Sequence, residues 1–168
     1  MDSLFLKQER MLVQTSTDII RELMNKIHWN NRLIAIRGSR GVGKTTLMLQ
    51  YIKLNYPPGS RIALYCTLDS IYFSNHTLLE LAEKFYLQGG KHLFLDEVHE
   101  LKAECQEKLF LFMDQGIYHR VGDNEKWYKS NVRIVFATTE DPGKVLLKTL
   151  IRRIPMTIMI PSLEERGT

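Results

Sequence analysis

The sequence predicts a three-layer αβα sandwich, a five-stranded parallel sheet covered by helices on both faces, with a small β-hairpin inserted. Three observations carry that prediction. Short continuous apolar runs recur along the chain, as strands buried on both faces do. Stretches with helical periodicity separate them. The first apolar run opens directly into a glycine-rich turn that leads into a helix. Strands alternating with helices in this way build a parallel sheet.

Each element has its own signal. In residues 16–29, Ile19, Ile20, Leu23, Met24 and Ile27 fall at helical spacing, with Ser16 or Thr17 as the cap. Residues 1–31 are therefore expected to be a helical segment packed on a core of residues 32–168. Leu33 to Ile36 is the first strand. A helix runs from Lys44 to about Asn55 and stops at Pro57-Pro58. Arg61 to Thr67 is the second strand. Thr77 and Glu80 have capping-box spacing and open a helix that ends at Gly89-Gly90. His92 to Asp96 is the third strand. Leu101 to Gln115 reads as a helix with Leu101, Cys105, Leu109 and Phe112 on one stripe and Gly116 as its cap. Ile117 to Tyr128 alternates around Gly122-Asp123-Asn124, a hairpin pattern. Val132 to Ala137 is the fourth main strand. Asp141-Pro142 starts a helix expected to reach about Arg153, and Met156 to Ile160 is the fifth strand.

Composition narrows the class. A chain of 168 residues suits one domain, and 44% hydrophobic with 25% charged residues is ordinary for a soluble protein. No apolar run approaches the roughly 20 residues of a membrane helix. The first residues lack the basic start and apolar stretch of a signal peptide, so a cytoplasmic protein without a membrane partner is expected. Cys66 and Cys105 lie far apart and read as buried small hydrophobes. His28, His76, His92, His99 and His119 show no zinc-ligand spacing. The net charge of +4 permits an anionic partner without demanding one.

Residues 38–45 carry the most specific signal. Gly38, Ser39, Arg40, Gly41, Val42, Gly43, Lys44 and Thr45 match G-x-x-x-x-G-K-[ST] at every fixed position, between a buried strand and a helix. Glycines let successive backbone N–H groups turn inward, and the helix N-terminus, with Thr46, adds partial positive charge. Lys44 can reach β- and γ-phosphates, and the Thr45 hydroxyl can bind magnesium. These residues predict a nucleoside triphosphate with Mg2+.

The third strand ends in Asp96-Glu97, at the edge where α/β sheets bind ligands. Asp96 can hold magnesium, and Glu97 can polarise an attacking water. His99 completes Asp-Glu-Val-His, a four-residue match to the helicase DExH box; it reads as a surface residue. Thr138 or Thr139, ending the fourth strand, could bond a γ-phosphate or the lytic water. Arg152 and Arg153 end a helix, where the helix dipole alone favours cations; either could instead be a finger stabilising transition-state charge, in cis or on a neighbour. Lys126, Trp127, Tyr128 and Lys129 mix bases with aromatics on the hairpin, a thin signal for nucleic acid.

With these residues in place the chain resembles P-loop ATPases of the AAA+ class. Residues 32–100, with RLIAIRGSRGVGKTT and GGKHLFLDEVHE, resemble prokaryotic AAA-type ATPases that often carry a C-terminal nuclease-like domain. Residues 104–166 resemble sigma-54-dependent activators, most of all the sugar-phosphotransferase-regulated ones, in ECQEKLFLFMDQGIYHRVG, VRIVFATTEDP and LLKTLIRRIPMTIMIPSLEER. The resemblance implies strand order 5-1-4-3-2. It implies that Gly38–Thr45 is a Walker A motif and Asp96-Glu97 a Walker B motif. Thr139 takes the sensor position, and Arg152 and Arg153 the region of the inter-subunit finger of a homo-oligomeric ring. A split between two branches predicts a recombined chain joined near Leu101–Glu104.

The departures shape the expected activity. The activators carry a GAFTGA loop between the Walker motifs, and no such sequence stands here. The sequence also reaches Thr168 before any helical lid. Magnesium-dependent ATP hydrolysis is therefore expected to be weak or to depend on oligomers. One alternative is a nucleotide-binding module, or an engineered or chimeric scaffold, with little turnover. Another, a DExH-type nucleic-acid motor, fits poorly because such motors use two RecA-like domains.

Overall fold

The computed structural model describes residues 1–106, 112, 116–120, 122–146, 148–162 and 164–166. Its elements in chain order are α1 (Asp2–Gln14), α2 (Leu23–Lys26), β1 (Leu33–Arg37), α3 (Lys44–Asn55), β2 (Ala63–Thr67), α4 (Leu78–Leu87), β3 (His92–Asp96), β4 (Ile117–Arg120), β5 (Asp123–Lys129), β6 (Arg133–Thr138), α5 (Pro142–Val145), α6 (Lys148–Ile151) and β7 (Met156–Met159). The main sheet has the order β2-β3-β6-β1-β7, and all its pairings are parallel. Counting only main-sheet strands, this is the expected 5-1-4-3-2. β4 and β5 form the antiparallel hairpin.

Alternation along the strands builds two cores. Leu64, Leu93, Leu95, Ile134 and Phe136 face one side with Leu81, Ala82 and Phe85 of α4. Ile34, Ile36, Phe94, Val135 and Ala137 face the other with Leu47, Met48 and Ile52 of α3. Both cores are needed because a parallel sheet has no face to give to water. Thr77 caps α4 with the anticipated box: its hydroxyl accepts from Glu80 N–H, and the Glu80 carboxylate accepts from Thr77 N–H.

The N-terminal segment departs from expectation. The long helix is α1, not residues 16–29, where only α2 is helical. Ile19 is 84% exposed. The Gln50 side chain of α3 donates to the carbonyls of Ser16 and Ile19, two acceptors a helix would have used itself. Meanwhile α1 lies along the edge strand β2. Buried Gln8 donates to Ala63 O and accepts from Tyr65 N–H at 2.5 Å, so one side chain pairs with the open edge as a neighbouring strand would.

The second half departs twice. Residues 103–106 and Phe112 are helical, while 107–111 and 113–115, including the expected Leu109 contact, lie outside the described residues. The helix expected from Pro142 to Arg153 is two four-residue pieces, α5 and α6. Gly143 lies in the first of them, where it weakens helix propagation. Among the described residues no helix is long and apolar enough to cross a membrane.

Candidate functional site

The glycine-rich loop joins β1 to α3 at the carboxyl edge of the sheet. Gly43, the residue before α3, has φ 94°, which L side chains rarely adopt. Gly38 is fixed by close approach: a Cβ there would lie 2.8 Å from Val42 Cγ2 and 3.0 Å from the carbonyl oxygen of Ile160. Ser39, Arg40, Gly41 and Thr46 are exposed, so the mouth of the loop opens outward.

Lys44 is buried, and its amine donates to the carbonyls of Gly38 (2.6 Å) and Ser39 (2.9 Å). The loop thus holds its cation on its own backbone. Burial pulls the Lys44 pKa below the ordinary lysine range, against the opposing charges of Asp96 and Glu97.

Asp96 ends β3 and is 2% exposed. Its Oδ2 accepts from Thr45 Oγ1 at 2.5 Å and from the Tyr65 hydroxyl at 2.7 Å, and its Oδ1 from the Glu97 N–H at 3.0 Å. The Tyr65 pKa is raised, first by burial and then by the Asp96 charge. Sequence reasoning missed Tyr65, because an alternating tyrosine in a buried strand reads as core. Only the parallel pairing of β2 with β3 brings its hydroxyl to Asp96.

Glu97 follows in a left-handed conformation, φ 56° and ψ 44°. Its Oε2 lies 3.1 Å from His99 Nε2, and His99 Nδ1 lies 3.3 Å from Thr138 Oγ1. The expectation that His99 is a surface residue is therefore corrected: its side chain is 16% exposed and bridges β3 to β6. Of the two threonines, Thr138 is buried in this network, while Thr139 is half-buried just beyond it.

Arg152 and Arg153 are exposed and precede β7, whose first residue, Met156, pairs with Ile34 of β1. They stand at the end of the sheet opposite the phosphate loop, so the fold does not bring them to the loop of the same chain. Two other arginines do reach it. Arg166 donates to Val42 O at 3.0 Å, and Arg21 lies so near that a Cβ on Gly43 would come 2.9 Å from its Nη2. Arg21 Nη1 is buried with no hydrogen-bond partner among the described residues. Burial, then the Arg166 charge, pulls its pKa down. Neither arginine was singled out in the sequence: Arg21 is not among the apolar residues that marked 16–29 as helical, and Arg166 lies in a stretch read only for its resemblance.

On the hairpin, Tyr128 packs inward on Tyr118 with Arg120 over its ring, while Trp127, 53% exposed, lies against the His119 ring at a tilt of 35°. The two aromatics thus face opposite ways and form no single platform with Lys126 and Lys129. Cys66 is buried, its thiol pushed up to about 12 by burial and then by Asp96, and Cys105 is half-buried; both are free.

Residues 30–121 match a family model described as an AAA domain. Transcriptional regulatory protein LevR of Bacillus subtilis (strain 168) is 58% identical over 79 residues, 47% of this chain and 8% of that protein. The Nif-specific regulatory protein of Azotobacter vinelandii is 30% identical over 179 aligned residues, 92% of this chain and 34% of that protein. The chain therefore spans about a third or less of these relatives. NtrX from Brucella abortus, solved in complex with ADP, superposes with a TM-score of 0.59 at 19% identity, over 94% of this chain and 39% of that one. Its complex with ATP gives 0.58 at 20% identity, over 94% and 42%. At such identities the superposition shows the fold. The family match crosses residues 101–104, and one natural regulator aligns over most of the chain.

Proposed function

The chain belongs to the AAA domain family, and from that premise we propose that it binds ATP with magnesium on residues 38–46 and hydrolyses it. The observation that carries the reading is the convergence, at one edge of the sheet, of a buried Lys44 amine, the Thr45–Asp96 oxygen pair and the Glu97 carboxylate. The ADP and ATP complexes of NtrX support it.

Each residue has a role by position. Backbone N–H groups of the loop and the α3 N-terminus receive phosphate oxygens. Lys44, now held by carbonyls, turns its ammonium to the β- and γ-phosphates. Thr45 Oγ1 and Asp96 Oδ2 form an all-oxygen pair, the donor type magnesium prefers, and would hold the ion. The chemistry an ion held there would supply is neutralisation of phosphate charge. Glu97 orients water and takes its proton. Thr139 meets the γ-phosphate. Arg21 and Arg166 add positive charge along the loop. Arg152 or Arg153 serves the site of a neighbour, which makes hydrolysis a property of a homo-oligomer.

The test compares wild type with Lys44→Ala and Glu97→Gln. Lys44→Ala is expected to lose Mg·ATP binding. Glu97→Gln is expected to bind normally and lose about a hundredfold or more in turnover. Turnover rising steeply with protein concentration, and lost in Arg152→Ala or Arg153→Ala, supports the oligomeric enzyme. Tight binding with flat, negligible turnover would instead make the chain a nucleotide-binding module, a reading favoured by the engagement of Glu97 with His99. Lys44→Ala binding Mg·ATP as well as wild type does would sink both.

A further inference from the structure

Glu97 is the sole non-glycine residue with positive φ among those described. Such a backbone persists where its surroundings over-determine it. What surrounds Glu97 is a chain of side chains. The Glu140 N–H donates to Thr138 Oγ1 at 3.1 Å, Thr138 Oγ1 lies 3.3 Å from His99 Nδ1, and His99 Nε2 lies 3.1 Å from Glu97 Oε2. Donors and acceptors sort into one polarity. In a neutral ring with its proton on Nε2, Nδ1 is an acceptor, and the Thr138 O–H donates to it. A carboxylate only accepts, so Nε2 carries the imidazole proton and donates it to Glu97. The links join residues 39 apart in sequence, in a largely buried place.

We propose that His99 is a positioning residue that aims the Glu97 carboxylate and couples it to the end of β6. The proposal rests on the reading of Glu97 as the base that activates water. Thr138 adjoins Thr139, the residue assigned to the γ-phosphate. A shift of that strand end on phosphate contact moves Thr138, and through the imidazole it moves the carboxylate. A second acceptor is at hand: Glu100 Oε1 lies 3.6 Å from the same Nε2. When Glu97 turns to water, the ring transfers its hydrogen bond to Glu100.

Four proteins test this: wild type, His99→Ala, His99→Gln and Thr138→Val, each measured for Mg·ATP affinity, kcat, KM and the 15N resonances of the His99 ring. His99→Ala is expected to keep its Mg·ATP affinity within about twofold while kcat falls about tenfold or more. His99→Gln, which retains an N–H donor towards Glu97, recovers part of that change. Thr138→Val shifts the His99 Nδ1 resonance with the ring otherwise unchanged. Equal kcat in His99→Ala and wild type overturns the proposal, as does an Nδ1 resonance that ignores Thr138→Val. Wild type without turnover at any concentration ends the reading of Glu97 as a base and the coupling with it, while the ring resonances still report whether the contact chain exists. Should His99→Ala fail to fold, His99→Gln and the resonances decide.

Discussion

Asp96 and Glu97 are neighbours in sequence, yet the molecule holds them by opposite means. Asp96 is 2% exposed and takes hydrogen bonds from β2, from α3 and from the next peptide N–H, the first two fixed by regular elements. Glu97 has a left-handed backbone and a carboxylate held by one imidazole, itself held by one hydroxyl. The first is a rigid cradle, which suits ligand binding, because donors fixed beforehand need no reordering when the ligand arrives. The second is a strained residue at the end of a side-chain chain, which suits a group that must change partners. In the proposed reading, binding and chemistry are thereby separated across one peptide bond.

Replacing Glu97 by glycine should break the comparison most visibly. Left-handed backbone costs an L residue about 1–2 kcal/mol, and glycine escapes that cost. Glu97→Gly is therefore expected to lose turnover about a hundredfold or more and yet melt no lower than wild type. A melting temperature well below wild type would mean that the His99 contact outweighs the strain and that Glu97 belongs to the rigid half after all.

The Asp96 side is probed by Tyr65→Phe, a smaller effect. The change removes one donor to a buried carboxylate and leaves the ring packed. A hydrogen bond to a charged group is worth about 1.5–3 kcal/mol, so unfolding in urea should shift by roughly that amount. More Mg2+ should then be needed for half-maximal ATP binding, because Asp96 Oδ2 is held by Thr45 alone. Unchanged stability and Mg2+ dependence would show that the cradle does not rely on β2.

Much of the rigid half was legible in the sequence, and little of the adjustable half was. Strands buried on both faces leave continuous apolar runs, and the phosphate loop has fixed spacing, so β1, α3, β3 and the Thr45–Asp96 pair could be placed in advance. Tyr65 could not, because its role comes from a strand pairing. Likewise α1 was hidden by its own function: Leu4, Phe5, Met11 and Leu12 have helical spacing, but Gln8 at their centre reads as polar and is buried only because β2 needs an edge partner. Residues 16–29 erred the other way, with a good apolar pattern overridden by Gln50 of another helix. His99 read as a surface residue because its partner Thr138 lies on a distant strand. Sequence spacing records what neighbours along the chain do, and the second carboxylate depends on contacts across it.

The finest test of the rigid cradle is the proton on Lys44. Burial lowers the pKa of this amine in the empty loop, and Asp96 and Glu97 only partly oppose that shift. A nucleotide phosphate beside the amine favours its charged form and raises the pKa again. Between the lowered and the raised value the empty loop is partly deprotonated and the occupied loop is not, so binding takes up protons. Calorimetry in alkaline buffers of different ionisation enthalpy should therefore find an uptake of less than one proton per ATP, vanishing towards neutral pH. Affinity should fall as pH rises through the lowered value. The same linkage acts on folding: a base whose folded pKa is depressed destabilises the empty fold while charged, so this group's penalty fades as pH rises. Glu97→Gly removes one of the two opposing charges and should lower the Lys44 pKa further, moving proton uptake to lower pH. Uptake that does not move would mean that Lys44 and Glu97 do not feel one another, and that the two halves are separated electrostatically as well as in how they are held.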